Sequence, residues 1–272
     1  MENLNFGFEN LKVGFIGGGA LAESVIKGIR GVLVTSENIF VSEMRQERCD
    51  ELTKRYRINA TVGAESFIDK VKFLIIAVKP KDAEKTLTAL RDKVTLNTTI
   101  LSVVAGLKMS ILEKYFPSHA VVRLMPNVAL SVGEGMTAYA PNTKVLESDK
   151  VLVKNFWSAI GRAVEVDEKL MDAVTGLSGS GPAYAFLMID ALADGGVAAG
   201  LPRNISIELA AQTLLGAAKM VLETGEHPDA LRDRVTSPAG TTIEGVRVLE
   251  RGGFRSSLIE AVIAATEKSR KL

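Results

Sequence analysis

The stretch that decides the fold is residues 11–22, LKVGFIGGGALA. Its first six residues form a short apolar run typical of a buried strand, and three glycines end that run. Helical periodicity begins directly afterwards, over residues 20–29. The turn fits G-x-G-x-x-A: the first glycine allows the tight turn, and the third residue has no side chain to keep a pyrophosphate away. This order predicts a dinucleotide site rather than a purely structural turn.

Further apolar runs predict the rest of a parallel sheet. They are residues 38–42, 73–78, 99–104, 120–124 and 136–139. Near-continuous apolar strands separated by helical segments are typical of a sheet covered on both faces. We therefore expect an α/β fold over residues 1–168, a doubly wound (Rossmann-type) parallel sheet.

The end of the second strand bears on the choice of dinucleotide. Glu43 stands roughly 25 residues beyond Gly17, about where the fingerprint places an acid. A carboxylate there would accept hydrogen bonds from the ribose diol of NAD and repel the extra phosphate of NADP. Arg45 and Arg48 follow closely and could instead pair with that phosphate. All three could also belong to an exposed charged loop, so the residues themselves leave the choice open.

Two more loops follow predicted strands, at the edge where doubly wound sheets bind ligands. One contains Val78, Lys79 and Pro80, and the other contains Ala105. A small residue at such an end permits close backbone approach to a ribose or a nicotinamide. For Lys79, a surface charge before a proline stop is an equally good interpretation.

From residue 169 onward the apolar pattern becomes helical. Helices are predicted over residues 182–199, 203–223, 241–251 and 255–270. The first two are apolar on most sides, so they must be buried on most sides. We expect an all-α dimerisation domain over residues 169–272, in which a partner subunit covers these helices. The alternative is that the first domain covers them.

Composition excludes several classes of partner. Lys and Arg number 33 and Asp and Glu 32, so the net charge is +1. A chain so balanced lacks the field that holds nucleic acid or an anionic membrane, and we expect neither as a partner. One cysteine, Cys49, and two histidines, His119 and His227, argue against a disulfide and against a metal site. The N-terminal residues lack the pattern of a secretory signal, and we expect a cytoplasmic protein.

A glycine motif narrows the type of oxidoreductase. Residues 176–181, GLSGSG, have the glycine spacing seen in β-hydroxyacid dehydrogenases. That family has a catalytic lysine and an asparagine at the positions of Ala185 and Met188. Neither of these can transfer a proton, so alcohol oxidation by a lysine is not expected. Hydride chemistry here should involve a substrate that needs no strong protein base.

Residues 236–242, TSPAGTT, precede a predicted helix. Thr241 and Glu244 have capping-box spacing, which predicts a helix cap. Hydroxyls and free backbone N–H groups at a helix start also suit a small carboxylate, so the second interpretation is an anion site.

At this point the chain resembles pyrroline-5-carboxylate reductase over nearly its whole length. The motifs that carry the resemblance are residues 13–29 (VGFIGGGALAESVIKGI), the AVKP loop, the VVAG turn, and three C-terminal segments. Those segments are residues 172–202 (DAVTGLSGSGPAYAFLMIDALADGGVAAGLP), 233–246 (DRVTSPAGTTIEGV) and 251–262 (RGGFRSSLIEAV). The resemblance implies reduction of 1-pyrroline-5-carboxylate to L-proline with NADPH or NADH, the last step of proline biosynthesis. It also implies a homodimer built through the C-terminal helices, often assembled into a decamer.

The resemblance assigns roles residue by residue. Contacts to the cofactor would come from Gly17, Gly18, Gly19, Ala20, Leu21, Glu43, Val78, Lys79, Pro80 and Ala105. The substrate carboxylate would be held by Ser237, Gly240, Thr241 and Thr242. The Thr242 hydroxyl would lie near the ring nitrogen, as the catalytic group. No metal is implied.

Three departures from the family pattern stand out. Ala239 replaces a frequent glycine, Val128-Ala129 replaces a frequent Thr-Pro, and Glu43 replaces a small polar residue at the ribose position. The last favours NADH. Two other functions remain as alternatives: another imine or ketone reductase on this fold, and a non-catalytic redox sensor that binds NAD(P)H.

Overall fold

The apolar runs assemble into one sheet in the part of the chain that the computed structural model describes, which is Phe8 and residues 10–272. The strands are β1 (Val13–Ile16), β2 (Ile39–Glu43), β3 (Asn59–Val62), β4 (Phe73–Ile76), β5 (Thr99–Ser102), β6 (Val121–Pro126), β7 (Gly135–Pro141) and β8 (Gly161–Glu165). Their order across the sheet is β3-β2-β1-β4-β5-β6-β7-β8. All neighbours are parallel except β6 and β7. The predicted doubly wound sheet is confirmed.

The sequence pattern does not predict β3 and β8, which form the two edges of this sheet. An edge strand pairs on one side only, and these two are mostly exposed or half-buried. They therefore lack the continuous apolar run that marks the central strands. The predicted strands all occur, and no end is displaced by more than two residues.

The switch in winding direction lies at β1, which pairs in parallel with both β2 and β4. Val13 is aligned with Ile39 on one side and with Phe73 on the other. The chain first builds outward from β1 to β2 and β3, then returns to β4 on the opposite side. This topology opens a crevice beyond the carboxyl ends of β1 and β4.

Helices cover both faces of the sheet. They are α1 (Ala20–Ile29), α2 (Gln46–Tyr56), α3 (Ala83–Leu90), α4 (Met109–Tyr115), α5 (Glu147–Ser158) and α6 (Met171–Val174). One buried cluster includes Phe15, Phe156 and Trp157, and a second is built around Phe67 and Phe116. Apolar side chains thus leave the central strands on both sides, as a parallel sheet requires.

The C-terminal part is helical. Its elements are α7 (Gly181–Ala198), α8 (Arg203–Thr224), α9 (Pro228–Arg234), α10 (Thr241–Arg251) and α11 (Phe254–Ser269). Only the short α9 is not predicted by the pattern. The chain divides into two units, Ser180–Ala264 and the remainder, which includes Ala265–Leu272. The expected boundary at residue 168 marks where strands give way to helices, and it stays a prediction.

The second unit leaves much of its apolar surface uncovered within one chain. Phe186 and Leu187 of α7 are 64% and 70% exposed, and Leu209 and Leu215 of α8 are 53% and 54% exposed. Ala193 is the buried residue of α7, and Ser206 and Ala210 are those of α8. Exposed apolar surface of this extent marks an interaction site.

We expect Thr137→Val to raise the free energy of unfolding by about 1 kcal/mol, because an unpaired buried hydroxyl is costly. Thr137 on β7 is fully buried, and its hydroxyl has no hydrogen-bond partner among the described residues. Valine keeps the shape and removes the unpaired polar group. Denaturant unfolding monitored by circular dichroism measures the change.

Thr98→Val is the matched control. Thr98 is 1% exposed, but its hydroxyl donates to the carbonyl oxygen of Val71 at 2.8 Å. This substitution should lower the free energy of unfolding by about 1 kcal/mol. Equal effects of the two substitutions would contradict the interpretation.

Candidate active site

The turn between β1 and α1 requires glycine at its first position. Gly17 has a φ of +97°, and a Cβ there would lie 2.8 Å from the carbonyl oxygen of Ala77. The Gly17 N–H donates to the Ser42 oxygen at 2.9 Å, and the Ala77 N–H donates to the Ile16 oxygen at 2.9 Å. The turn is therefore held between the ends of β2 and β4, where open α/β sheets bind ligands.

Gly19 requires a different explanation. Its φ is −71°, which any residue adopts, and a Cβ there would meet no atom of the described residues within 4 Å. Neither the backbone nor the packing in this structure demands glycine. Gly19 is the N-cap of α1, and no described side chain caps that helix. Open space beside uncapped N–H groups at a helix start is what a pyrophosphate needs, so the geometry fits the predicted role.

Glu43 ends β2 with its carboxylate on the glycine turn. Its Oε1 accepts from the Gly18 N–H at 3.0 Å, and its Oε2 accepts from the Met44 N–H at 2.8 Å. These two bonds hold the carboxylate in place before any ligand arrives. The geometry favours the interpretation of Glu43 as the acid at the ribose position.

The Arg48 guanidinium already has partners within the protein. Its Nε and Nη2 donate to the Gly18 carbonyl oxygen at 3.0 and 2.8 Å, and it forms ion pairs with Glu23 and Glu51. An arginine held in this way is not a free cation for the extra phosphate of NADP. Arg45, the other cation considered for that phosphate, is exposed at the start of α2.

The two remaining loops lie at the same edge of the sheet. Val78, Lys79 and Pro80 follow β4, and Ala105 follows β5. Val78 and Ala105 are half-buried, whereas Lys79 and Pro80 are exposed. The structure therefore brings all ten predicted cofactor residues to the carboxyl ends of four neighbouring strands, β2, β1, β4 and β5.

The four predicted substrate residues lie together in the second unit, around the start of α10. The Gly240 N–H donates to the Ser237 carbonyl oxygen at 3.0 Å. A Cβ at Gly240 would come within 2.3 Å of the Ser237 hydroxyl oxygen, so the Ser237 side chain lies over the helix start. Ser237, Thr241 and Thr242 are all exposed.

The predicted capping box is wrong. The N-cap of α10 is Gly240, so Thr241 is already the first helical residue, and no described side chain caps the helix. The Glu244 carboxylate instead accepts from Arg247, at 3.0 Å from Nε and 2.8 Å from Nη2. Thr241 and Glu244 have the T-x-x-E spacing, but the helix begins one residue earlier than a capping box at Thr241 would require. The first N–H groups of α10 therefore stay available to an anion.

Ala239 has a left-handed backbone, with a φ of +55°. An alanine in this region costs roughly 1–2 kcal/mol, a cost that glycine avoids. Ala239 stands where glycine is frequent in the family that the chain resembles, so this departure adds strain to the turn.

The substrate loop around the start of α10, residues 236–242, contains hydroxyl groups but no charged side chain or histidine. Ala185 and Met188 lie on α7, at the positions where β-hydroxyacid dehydrogenases carry a lysine and an asparagine. His227 caps α9 and accepts from the Asp229 N–H at 3.2 Å, while His119 is buried. Among the described residues, no three or more His, Cys, Asp or Glu side chains form a group that could hold a metal ion. The chemistry available is orientation and hydrogen bonding.

Comparison with known families agrees with this geometry. The family model described as "Pyrroline-5-carboxylate reductase dimerisation" matches residues 168–272. The model described as "NADP oxidoreductase coenzyme F420-dependent" matches residues 12–106. A pyrroline-5-carboxylate reductase of Arabidopsis thaliana is 44% identical over 100% of this chain and 99% of its own length. One from Synechocystis sp. is 46% identical over 97% of this chain and 98% of its own length.

This chain belongs to the pyrroline-5-carboxylate reductase family. Solved structures of the family have the same fold. A Plasmodium falciparum pyrroline carboxylate reductase with NADP bound is 33% identical, with a TM-score of 0.85 over 97% of this chain and 98% of that one. A Coxiella burnetii pyrroline-5-carboxylate reductase is 31% identical, with a TM-score of 0.90 over the same shares.

The family's dimerisation domain explains the uncovered helices. It includes α7 and α8, whose apolar side chains are exposed within one chain. Among the described residues, α8 is also long and apolar enough to cross a membrane, and 11% of its apolar stretch is buried. The dimerisation domain supports a partner subunit as the cover of this helix, because a two-fold interface buries the same surface on both copies.

Sequence reasoning misses the ion network that holds the glycine turn. Glu23, in the first turn of α1, accepts from Arg48, from Arg55 at 2.7 Å and from the Tyr56 hydroxyl at 2.8 Å. Burial disfavours the Glu23 charge, but hydrogen bonds from Arg48, Tyr56 and Arg55 outweigh it and lower the pKa from 4.5 to about 2. In the sequence, this network is visible only as a cluster of charged residues on α2. No spacing rule connects Arg48 to Glu23, which lies 25 positions earlier.

We expect this network to make the fold acid-sensitive. Because the pKa of Glu23 is lower in the folded state, the stabilisation is complete above pH 4.5 and is lost as the pH falls from 4.5 towards 2. The loss should be on the order of 2–3 kcal/mol. Glu23→Gln should remove that part of the pH dependence, measured as denaturant midpoints between pH 6 and about pH 3.

Glu147→Gln is the control, because Glu147 forms an ion pair with Lys150 while 86% exposed. Exposed pairs contribute little to stability. Parallel acid profiles for wild type and Glu23→Gln would show that the network does not act as described.

Proposed function

We propose that this chain reduces 1-pyrroline-5-carboxylate to L-proline by hydride transfer from NADPH or NADH, the last step of proline biosynthesis. The observation that carries the proposal is the uncapped start of α1, with open space before Gly19, at the switch point of the sheet. The family membership identifies the substrate, since relatives that match the whole chain are named for this reaction.

The reaction suits a site without a strong protein base. The nicotinamide, when bound, supplies the hydride. A protonated cyclic imine is strongly electrophilic at carbon, so the protein has to orient the substrate and exclude water. The Thr242 hydroxyl is the group we assign to the ring nitrogen, where it would hold or pass the proton, which can also come from solvent.

Uncharged groups would hold the substrate carboxylate. Ser237, Gly240, Thr241 and Thr242 surround the start of α10, whose first N–H groups are not capped by a described side chain. An anion at a helix N-terminus is stabilised by these N–H groups and by the helix dipole. This arrangement agrees with a chain whose formal net charge is +1.

The chain would act in the cytoplasm as a homodimer, and five such dimers would form the decamer that the family resemblance implies. The dimer is supported by the dimerisation domain and by the exposed apolar faces of α7 and α8. The cytoplasm is supported by the single cysteine, Cys49, which is buried and unpaired. Sedimentation of the purified protein measures the assembly.

Oxidation of NADH or NADPH in the presence of pyrroline-5-carboxylate tests the activity directly. We expect absorbance at ~340 nm, the reduced nicotinamide band, to fall only when the substrate is added, with L-proline as product. Faster turnover of another imine or ketone than of pyrroline-5-carboxylate would support a different reductase on this fold. Cofactor binding with no turnover of any of these would support a redox sensor.

We further propose a preference for NADH, which rests on the Glu43 carboxylate and on the engagement of Arg48. Glu43→Ser should lower the KM for NADPH by roughly tenfold, because a carboxylate near a phosphate disfavours it by at least 1 kcal/mol. The KM for NADH should rise, since the ribose loses an acceptor. Initial rates with both cofactors measure the two changes.

Glu47→Ser is the control, because Glu47 is an exposed acid on the adjacent helix, α2. It should leave the ratio of the two KM values unchanged. A wild-type enzyme that strongly prefers NADPH would refute the assignment to Glu43.

Thr242→Ala should lower kcat by roughly tenfold to a hundredfold, the lower range for a positioned proton donor, and leave measurable activity. Residual activity is expected because solvent can supply the proton. Thr242→Ser keeps the hydroxyl and should retain most of the turnover. A Thr242→Ala enzyme with wild-type kcat and wild-type KM for the substrate would rule out the assigned role.

A further inference from the structure

The side chain of Asn127 joins three separate parts of the backbone. Asn127 directly follows β6, and its Oδ1 accepts from the Ala129 N–H and from the Met136 N–H, both at 3.2 Å. Its Nδ2 donates to the Ser178 carbonyl oxygen at 3.1 Å. Two N–H donors on one side and a carbonyl on the other fix the orientation of the carboxamide. Asn127 therefore ties the end of β6 to the start of β7 and to the segment around Ser178.

The segment around Ser178 is the GLSGSG motif, to which the proposed reaction assigns no role. Thr175–Gly179 form a π-helical turn between α6 and α7. Such turns are rare and occur frequently at functional sites. The Ser178 carbonyl lies at the carboxyl end of this turn, where helical carbonyls lack an intrahelical donor, and residue 182, which would supply the next N–H, is proline. The Asn127 carboxamide supplies the missing donor.

Asn127 stands at the same edge of the sheet as the predicted cofactor loops. β6 runs parallel to β5, so the loop after β6 leaves the sheet beside the loop that carries Ala105. Met125 of β6 also reaches the π-helical turn, because its Cε lies 2.6 Å from the place that a Cβ on Gly179 would take. The turn therefore lies against the carboxyl end of β6, next to the last predicted cofactor loop.

A dinucleotide bound at this edge would place its nicotinamide on the side of β6. Glu43 at the end of β2 is the candidate for the adenosine ribose, and the start of α1 is the candidate for the pyrophosphate. The second half of a dinucleotide crosses the switch point to the strands on the other side of β1, which begin with β4, β5 and β6. The turn that Asn127 holds is on that side.

We propose that Asn127 is a positioning residue for the nicotinamide ring of the cofactor, which it serves by holding the turn Thr175–Gly179 against the carboxyl end of β6. The inference rests on the proposed function, in which a nicotinamide dinucleotide occupies the crevice. Asn127 acts through the Ser178 carbonyl. A backbone that is ordered before the ligand arrives costs less to bind, so loss of this bond should weaken binding.

The test compares NADH with ADP-ribose, which lacks the nicotinamide ring. Asn127→Asp keeps the oxygen that accepts the two N–H groups, but its carboxylate cannot donate to the Ser178 carbonyl. We expect its Kd for NADH to rise about three- to tenfold, the effect of losing one hydrogen bond, while its Kd for ADP-ribose stays at the wild-type value. Isothermal titration calorimetry measures both constants.

Asn127→Ser separates the loss of the bond from the charge that Asn127→Asp introduces. The serine hydroxyl can still accept from the Ala129 N–H, but it is too short to reach the Ser178 carbonyl. It should show the same loss for NADH and the same unchanged Kd for ADP-ribose, and it decides the question if Asn127→Asp does not fold. A loss in Asn127→Asp alone would be an effect of charge and would overturn the proposal.

Asn142→Ser is the matched control. The Asn142 Oδ1 also accepts from two backbone N–H groups, those of Val121 and Lys144, both at 3.2 Å. Its Nδ2 donates to the His119 carbonyl oxygen at 3.2 Å and to Glu113 at 3.1 Å. The two asparagines thus make the same kinds of bond to the backbone at opposite ends of β6. Asn142→Ser should leave both Kd values unchanged.

Wild-type affinity for NADH in both Asn127 variants would overturn the proposal. An equal loss for ADP-ribose, or an equal loss in Asn142→Ser, would overturn it as well, because either result would indicate a general effect on the fold. A wild type that binds NADH without reducing pyrroline-5-carboxylate would refute the proposed function, while the comparison of the two ligands would still decide the role of Asn127. A wild type that reduces pyrroline-5-carboxylate, with both Asn127 variants unchanged in NADH affinity, would refute only the positioning role.

Discussion

The close approach of Gly17 to Ala77 is the constraint on which the first unit depends. With only 2.8 Å between the Ala77 oxygen and the place of a Cβ on Gly17, no other residue fits at the switch point. The chain turns there from β1 into α1, so the helix start, the end of β2 and the end of β4 are placed together. One steric requirement thus positions the loops after β1, β2 and β4, which are three of the four predicted to meet the cofactor.

The charges around the glycine turn are also balanced by nearby groups. The carboxylate of Glu43 is held by two backbone N–H groups, and Arg48 binds the other side of the glycine turn through the Gly18 oxygen. Charges near the turn are neutralised within the protein, by pairs that include Glu23. What remains for ligands is the backbone: uncapped N–H groups at the starts of α1 and α10. A nearly neutral chain can therefore receive two anionic ligands.

The helical unit follows a different constraint, since its apolar residues exceed what one copy can bury. Residues such as Phe186 and Leu187 remain exposed within one chain, although their positions on α7 are those of a core helix. The family's dimerisation domain matches this region, which supports a second copy as the missing cover. Folding and association of this unit are expected to be linked, because an uncovered helix is stable only with its partner.

Local signals were sufficient for much of the protein. Residues 11–22 predict a strand, a glycine turn and a helix, and the structure has β1 and α1 there, because each step depends on neighbours within a few positions. The apolar runs likewise predict the central strands, and the TSPAGTT segment marks the helix start at α10.

Other features depended on partners far away in the chain. The edge strands β3 and β8 lack an apolar run, because each pairs on one side only, β3 with β2 and β8 with β7. The hydrogen bonds of Glu43 and Arg48 to the Gly18 N–H and carbonyl oxygen join residues that are 25 and 30 positions apart. The predicted capping box failed because the backbone enters α10 at Gly240. The sequence by itself determined the fold class and the candidate loops, since short-range sterics and periodicity suffice for both. Only the tertiary structure decided which charges are free, which strands lie at the edges and which residues support the turns, because those depend on distance in space.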